Sequence, residues 1–182
     1  TLLGLIIERM HCNAVILMDG TILVLGGIRT YGPPHVLNTD SEIVNLVANT
    51  RTKTPPMDER GYHSTAVVLD DGRVMYGGGS GHGNERISDY QIFSPPYLFK
   101  GPRPVITAVN PTVLQYGQGS AGEYSLTFSY QPASETPNDY VAKVVLMRPG
   151  STTHHFDSEQ RYLQLDLVTG VEAPPNTMLF NM

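Results

Sequence analysis

Tryptophan is absent from the chain, and cysteine occurs once, at Cys12. A single thiol excludes an internal disulfide framework, so whatever fold forms must be held by its core. Cationic charge is also scarce: 12 Lys and Arg stand against 17 Asp and Glu, a formal net charge of −5. No basic stripe can be assembled from that balance, which argues against nucleic acid as a partner. Long hydrophobic runs are missing too. The apolar opening Leu2-Leu3-Gly4-Leu5-Ile6-Ile7 falls far short of the ~20 residues a membrane-spanning helix needs. It lacks the basic flank and small-residue cleavage site of a signal peptide, and reads instead as a strand begun before Thr1. What the chain has in quantity is turn chemistry, with 18 Gly and 14 Pro in 182 residues. Set among Val, Ile, Thr and Tyr, these predict many short strands and an all-β fold.

The strands come in a repeat. Val15-Ile16-Leu17 lead into the turn Met18-Asp19-Gly20, and Ile22-Leu23-Val24-Leu25 follow, closing on Gly26-Gly27. Val67-Val68-Leu69, Asp70-Asp71-Gly72 and Val74-Met75-Tyr76 repeat the pattern 52 residues later, closing on Gly77-Gly78-Gly79. Asp-Gly turns of this kind supply the positive φ of a tight hairpin. The alignment also sets His11 on His63. Strand, Asp-Gly turn, strand and Gly-Gly at this period is a kelch-type propeller signature, although the usual tryptophan is missing. Two such units cannot close a propeller. Between them the segment from Tyr31 to Lys53 is polar and turn-rich, with an outer strand predicted at Glu42 to Val47; a further strand is predicted at Tyr90 to Phe93.

Four prolines and a glycine in Ser94 to Pro104 form a stiff connector. Beyond it, strands are predicted at Val105–Ala108, Thr112–Gln115, Tyr124–Tyr130, Ala142–Met147 and Tyr162–Leu167. Gln131 to Asp139 reads as a polar loop, and Met178-Leu179-Phe180 as a strand cut short. The spacing suggests an immunoglobulin-like sandwich. The expected division is therefore 1–97, terminal blades of an incomplete kelch-type propeller, and 101–182, an immunoglobulin-like domain, itself truncated.

Chemistry concentrates at Arg60-Gly61-Tyr62-His63-Ser64 and at Thr152-Thr153-His154-His155. Phenol and imidazole together are donors suited to Cu(II) or Fe. Neighbours on a regular strand face opposite ways, so Tyr62 and His63 can share a metal only where the strand is irregular, a distortion Gly61 permits. The bland alternative is a tyrosine in the core and a histidine bonded to a backbone carbonyl. Elsewhere the readings are plainer. His11 is expected to be structural, His82 and His35 solvated, and Asp157 and Glu159 either surface carboxylates or partners orienting an imidazole. Gly77 to Gly81 lacks the Lys-Ser/Thr and the helix of a phosphate loop. Cys12 lacks a neighbouring His–acid pair and is not expected to be catalytic.

Taken together, Arg60 to Ser64, Asp71-Gly72-Arg73-Val74, Gly77-Gly78-Gly79 and Ile92-Phe93-Ser94-Pro95-Pro96-Tyr97-Leu98 resemble the last propeller blade of the galactose oxidase/glyoxal oxidase family. Arg148-Pro149-Gly150-Ser151-Thr152-Thr153-His154 with Gln160-Arg161 resembles that family's C-terminal early-set domain. The resemblance implies a mononuclear copper centre, with Tyr62 as axial ligand and proton acceptor and His63 and His154 as ligands. It implies oxidation of a small primary alcohol, aldehyde or carbohydrate with O₂ reduced to H₂O₂, in a secreted protein. The family's radical tyrosine, cross-linked to a cysteine, lies upstream of its last two blades. Cys12, placed in a blade hairpin, cannot stand in for that cysteine. The expectation is therefore a fragment, inactive by itself, whose propeller is completed by missing sequence or by a partner. Two rivals accompany it: a non-catalytic propeller and immunoglobulin-like module that binds glycan or protein, and an inert partial chain.

Overall fold

The structure, a computed structural model, describes residues 4–30, 36–82, 85–113, 124–129, 143–167 and 177–181. Regular structure among them is β apart from short 3-10 turns such as Pro96–Phe99. The chain divides into two compact units: residues 1–97 with 147–162, and residues 98–146 with 163–182.

In the first unit, β1 (Asn13–Ile16), β2 (Ile22–Leu25), β3 (Glu42–Asn45) and β4 (Thr50–Lys53) pair in chain order as an antiparallel meander. A second meander follows: β5 (Ser64–Val68), β6 (Val74–Gly78) and β7 (Tyr90–Phe93). The two predicted Asp-Gly hairpins both form. Gly20 (φ 86°) and Gly72 (φ 88°) take the left-handed conformation, which a residue with a Cβ rarely adopts. Asp19 accepts the Thr21 N–H at 3.0 Å and Asp71 the Arg73 N–H at 3.0 Å, so each turn is braced by its own carboxylate. Val15, Leu23, Leu25, Ala66, Val74 and Tyr76 point inward into one shared core. β4 lies in the polar, turn-rich segment whose only predicted strand is the outer one at Glu42 to Val47. Its sequence, Thr-Arg-Thr-Lys, has no apolar alternation because it is an edge strand, and charge on an open edge discourages unwanted pairing.

The repeat extends to its polar parts. Arg9 and Arg60 have fully buried side chains. Each donates to the carbonyl of an equivalent glycine, Arg9 to Gly26 at 3.3 Å and Arg60 to Gly78 at 3.2 Å. Those glycines are both left-handed, as are His11 (φ 57°) and His63 (φ 65°) one strand away. Gly26 has a second constraint. A Cβ there would stand 2.0 Å from the Tyr76 hydroxyl, which donates to the Arg60 carbonyl at 3.2 Å.

A short hairpin completes this unit: β11 (Ser151–Thr153) with β12 (Phe156–Ser158). It packs β11 on β5 and β12 on β1, the open edges of the two meanders. Gln160 binds the β1 edge as a strand residue would. Its Oε1 accepts the Ile16 N–H at 2.9 Å, and its Nε2 donates to the Ile16 carbonyl at 2.8 Å. On the other side the Thr152 hydroxyl donates to the Ala66 carbonyl of β5 at 3.1 Å.

The second unit is built on an antiparallel sheet of β8 (Val105–Asn110), β9 (Tyr124–Ser129), β10 (Val144–Arg148), β13 (Arg161–Leu167) and β14 (Thr177–Asn181), in the order β10-β13-β14-β9-β8. The last strand is not peripheral, since it pairs with both β13 and β9. Of the strand expected at Thr112–Gln115, Thr112 and Val113 form a bend instead and the rest falls outside the described residues, as do the loop from Gln131 to Asp139 and His35.

Candidate metal centre

Gly61, Tyr62, His63 and Ser64 form a tight turn at the mouth of β5. The Gly61 carbonyl accepts the Ser64 N–H at 3.3 Å, and flanking bonds Gly61 N–H to Ser80 O (2.8 Å) and Ser80 N–H to Tyr62 O (2.9 Å) fix its position. His63 occupies the third turn position with φ 65°, where glycine or asparagine is usual. That left-handed residue removes the objection from strand alternation. The rings of Tyr62 and His63 lie side by side, centroids 3.9 Å apart. Tyr62 is also not a core residue, being 40% exposed. The buried tyrosine of this sheet is Tyr76, whose phenol burial pushes well above its usual range.

The hairpin brings the other rings. Thr153 pairs with Phe156, leaving His154 and His155 as its two loop residues, both left-handed (φ 51° and 64°). The His154 ring reaches within 5.0 Å of His63 and 6.4 Å of Tyr62. Its Nδ1 is 2.8 Å from the Thr153 hydroxyl. With the proton on Nδ1 and that hydroxyl accepting it, the Nε2 lone pair is free. His155 turns beneath the site, where its Nε2 accepts the His63 backbone N–H at 3.3 Å. Asp157 and Glu159 do not orient an imidazole. Asp157 accepts the Ser151 N–H across the hairpin at 3.0 Å, and Glu159 pairs with Arg148.

One member was missed in the sequence. His11 stands 4.9 Å from the Tyr62 ring and 5.3 Å from the His155 ring. The signal was the 52-residue alignment of His11 on His63, whose shared left-handed backbone turns both imidazoles toward the same place. His82 stays outside, exposed and 2.7 Å from Glu59. Cys12 is half-buried, and burial raises its thiol pKa, so it is held protonated.

Burial lowers the His155 pKa to about 4, helped by the neighbouring imidazoles of His11, His63 and His154. His155 is therefore neutral in the fold at pH values where the unfolded chain's histidine is already protonated. Between about pH 6.5 and pH 4 the unfolded state binds more protons, so stability rises with pH and is lost on acidification. After discounting for the ring's exposure, this is expected to cost on the order of 1 kcal/mol between pH 7 and pH 4.5. Thermal melts of the chain and of His155→Gln at both pH values check it; an identical pH dependence in the variant would refute it.

Tyr62, His63, Gly79, Ser80, Arg86 and Ile87 line a cavity of about 420 Å³, the size of a small-molecule site. Among the described residues no three His, Cys, Asp or Glu converge as a ligand set. Any metal here must take the phenol. The donors fit that demand: two imidazoles with ring centres 5.0 Å apart can both reach one ion through metal–nitrogen bonds of about 2.0–2.1 Å, and the Tyr62 ring lies beside His63.

Comparison with known proteins bears on this. Residues 103–181 match the family described as galactose oxidase-like, early set domain. The C-terminal part of the chain is a galactose oxidase-like early set domain. Over 98% of its length the chain is 30% identical to a galactose oxidase of Gibberella zeae, and over 88% it is 26% identical to an aldehyde oxidase of Arabidopsis thaliana. It spans 28% of the length of each of those relatives. Among solved structures it resembles a fungal alcohol oxidase of the AA5 family in complex with copper, with a TM-score of 0.80 and 27% identity. That likeness covers 99% of this chain and 37% of the other. Among its own described residues, no helix is long and apolar enough to cross a membrane.

Proposed function

We propose that Tyr62, His63 and His154 hold a copper ion, in a protein that oxidises a primary alcohol or aldehyde with O₂ and releases H₂O₂. The observation that carries this is the convergence of one phenol and two imidazoles from segments 92 residues apart, with both His63 and His154 in the left-handed conformation. Similarity to galactose and aldehyde oxidases, and to an alcohol oxidase in complex with copper, supports the choice of metal and of substrate class. The two meanders are read as propeller blades on the same grounds and on their 52-residue repeat.

Bound copper would supply one-electron redox chemistry and Lewis acidity. The chain's own residues do the rest. His63 and His154 would present ring nitrogens to the metal, the latter's ring held by its contact with the Thr153 hydroxyl. Tyr62, on the wall of the 420 Å³ cavity, would accept the proton of a substrate hydroxyl as a phenolate ionised by the bound metal. Ser80 and Arg86 on the same wall offer polar contacts to an oxygen-rich substrate.

A Cu(II) titration tests the reading. The chain is expected to bind one Cu(II) with sub-micromolar affinity, and His154→Ala to weaken it by about 100-fold or more. Absence of saturable binding, or an unchanged affinity in the variant, would sink it.

A further inference from the structure

The proposed ligand set leaves one costly feature unexplained. A two-residue hairpin loop with both φ values positive is the environment of Asn-Gly and Gly-Gly. Here it holds His154 and His155, at φ 51° and 64°. Strain at His154 is accounted for if its ring binds copper. Strain at His155 is not, because a glycine would turn the chain there with no steric penalty.

What a glycine could not do is meet His63. The His63 N–H sits in a left-handed turn residue just ahead of β5, which begins at Ser64, so the strand ladder does not take it. The His155 Nε2 does, at 3.3 Å. To accept, the imidazole must carry its proton on Nδ1, and that atom is buried without a partner. A buried donor left unsatisfied opposes folding, so the arrangement is kept at a cost to stability. The His155 ring also lies 5.2 Å from Tyr62 and 5.3 Å from His11, closing the space behind the phenol.

We propose that His155 is a positioning residue of the site: by taking the His63 N–H it locks the left-handed turn that swings His63 to the same side as Tyr62. The inference rests on the copper reading for its purpose, but the lock itself is a property of the polypeptide. His155 reaches the metal ligands through the backbone, not as a ligand.

Because glycine suits the turn better than histidine, His155→Gly is expected to fold with no loss of melting temperature. Yet it should speed hydrogen exchange at the His63 amide by tenfold or more. It should also weaken Cu(II) binding by about 10-fold, as loss of an outer hydrogen bond to a ligand commonly does, and change the Cu(II) hyperfine splitting in the electron paramagnetic resonance spectrum. His155→Gln, whose side-chain oxygen can accept the same N–H, should restore most of the protection, affinity and spectrum. Unchanged exchange, affinity and spectrum in His155→Gly would overturn the inference. If the parent chain binds no copper, the proposed function fails, and the exchange measurement still decides whether His155 locks the turn.

Discussion

Asp89→Ala is expected to destabilise the chain by about 3 kcal/mol, lowering the melting temperature by roughly 6–12 °C. A carboxylate that is 74% exposed on its side chain would ordinarily be worth well under 1 kcal/mol. Asp89 differs because of its partner. The Arg60 guanidinium is fully buried, bonds Asp89 at 2.5 Å, lies 5.4 Å from the centre of the Tyr76 ring, and has an unpartnered Nε. Its other carboxylate, Asp58, is 3.9 Å away. Removing Asp89 leaves a buried cation poorly compensated. Arg60→Met, which removes the charge and leaves the carboxylate in water, should cost less, about 1–2 kcal/mol for the lost bond to Gly78. The order of the two variants in chemical denaturation is the decisive measurement; the reverse order would show that Arg60 acts through volume alone. Arg60 also begins the segment carrying Tyr62 and His63, so Asp89→Ala should loosen the site as well as the fold.

Gln160→Ala is expected to have the second large effect, and to join stability to copper binding. The amide side chain closes two backbone groups of Ile16 on the edge of β1. Its loss should cost about 2 kcal/mol, one unmet donor and one unmet acceptor at a half-buried edge. The hairpin keeps two further hydrogen bonds, Thr152 to Ala66 of β5 and His155 to the His63 N–H just ahead of it. With one anchor gone, the loop that presents His154 widens its range of positions, and Cu(II) affinity should fall by about 10-fold. Gln160→Glu offers a control, since one oxygen can still accept the Ile16 N–H while the donor to its carbonyl is lost. Intermediate values of melting temperature and affinity are expected. Full affinity in Gln160→Ala would mean that His154 is positioned without the clip.

Much of this was legible in one dimension, for physical reasons that can be named. Asp19-Gly20 and Asp71-Gly72 announce hairpins because a tight turn needs positive φ and glycine supplies it without a steric penalty. Val15, Leu17, Ala66 and Val68 declare buried strand faces through a period of two. The Tyr62-His63 and His154 motifs were visible because phenol and imidazole are unusual at strand ends. β4 was not legible: an edge strand needs no apolar face, and Thr50 to Lys53 carries none. His11 was legible only as an echo of His63, since nothing local in Met10-His11-Cys12 marks it. The pairing of Arg9 and Arg60 with equivalent glycine carbonyls was beyond reach, because a buried arginine is recognised by its surroundings.

The sequence by itself determined an all-β chain, a 52-residue hairpin repeat, and a short roster of groups able to bind a metal. The tertiary structure decided which of them meet. Side-chain direction at Tyr62 and His63 depends on one dihedral angle, and a left-handed φ at His63 turns two opposed neighbours into a pair. His154 and His155 part company for the same reason, one ring turned toward His63 and Tyr62 and the other onto the His63 backbone. Backbone angles of this kind are set by long-range contacts such as Gln160 on Ile16 and His155 on His63. No local composition encodes them.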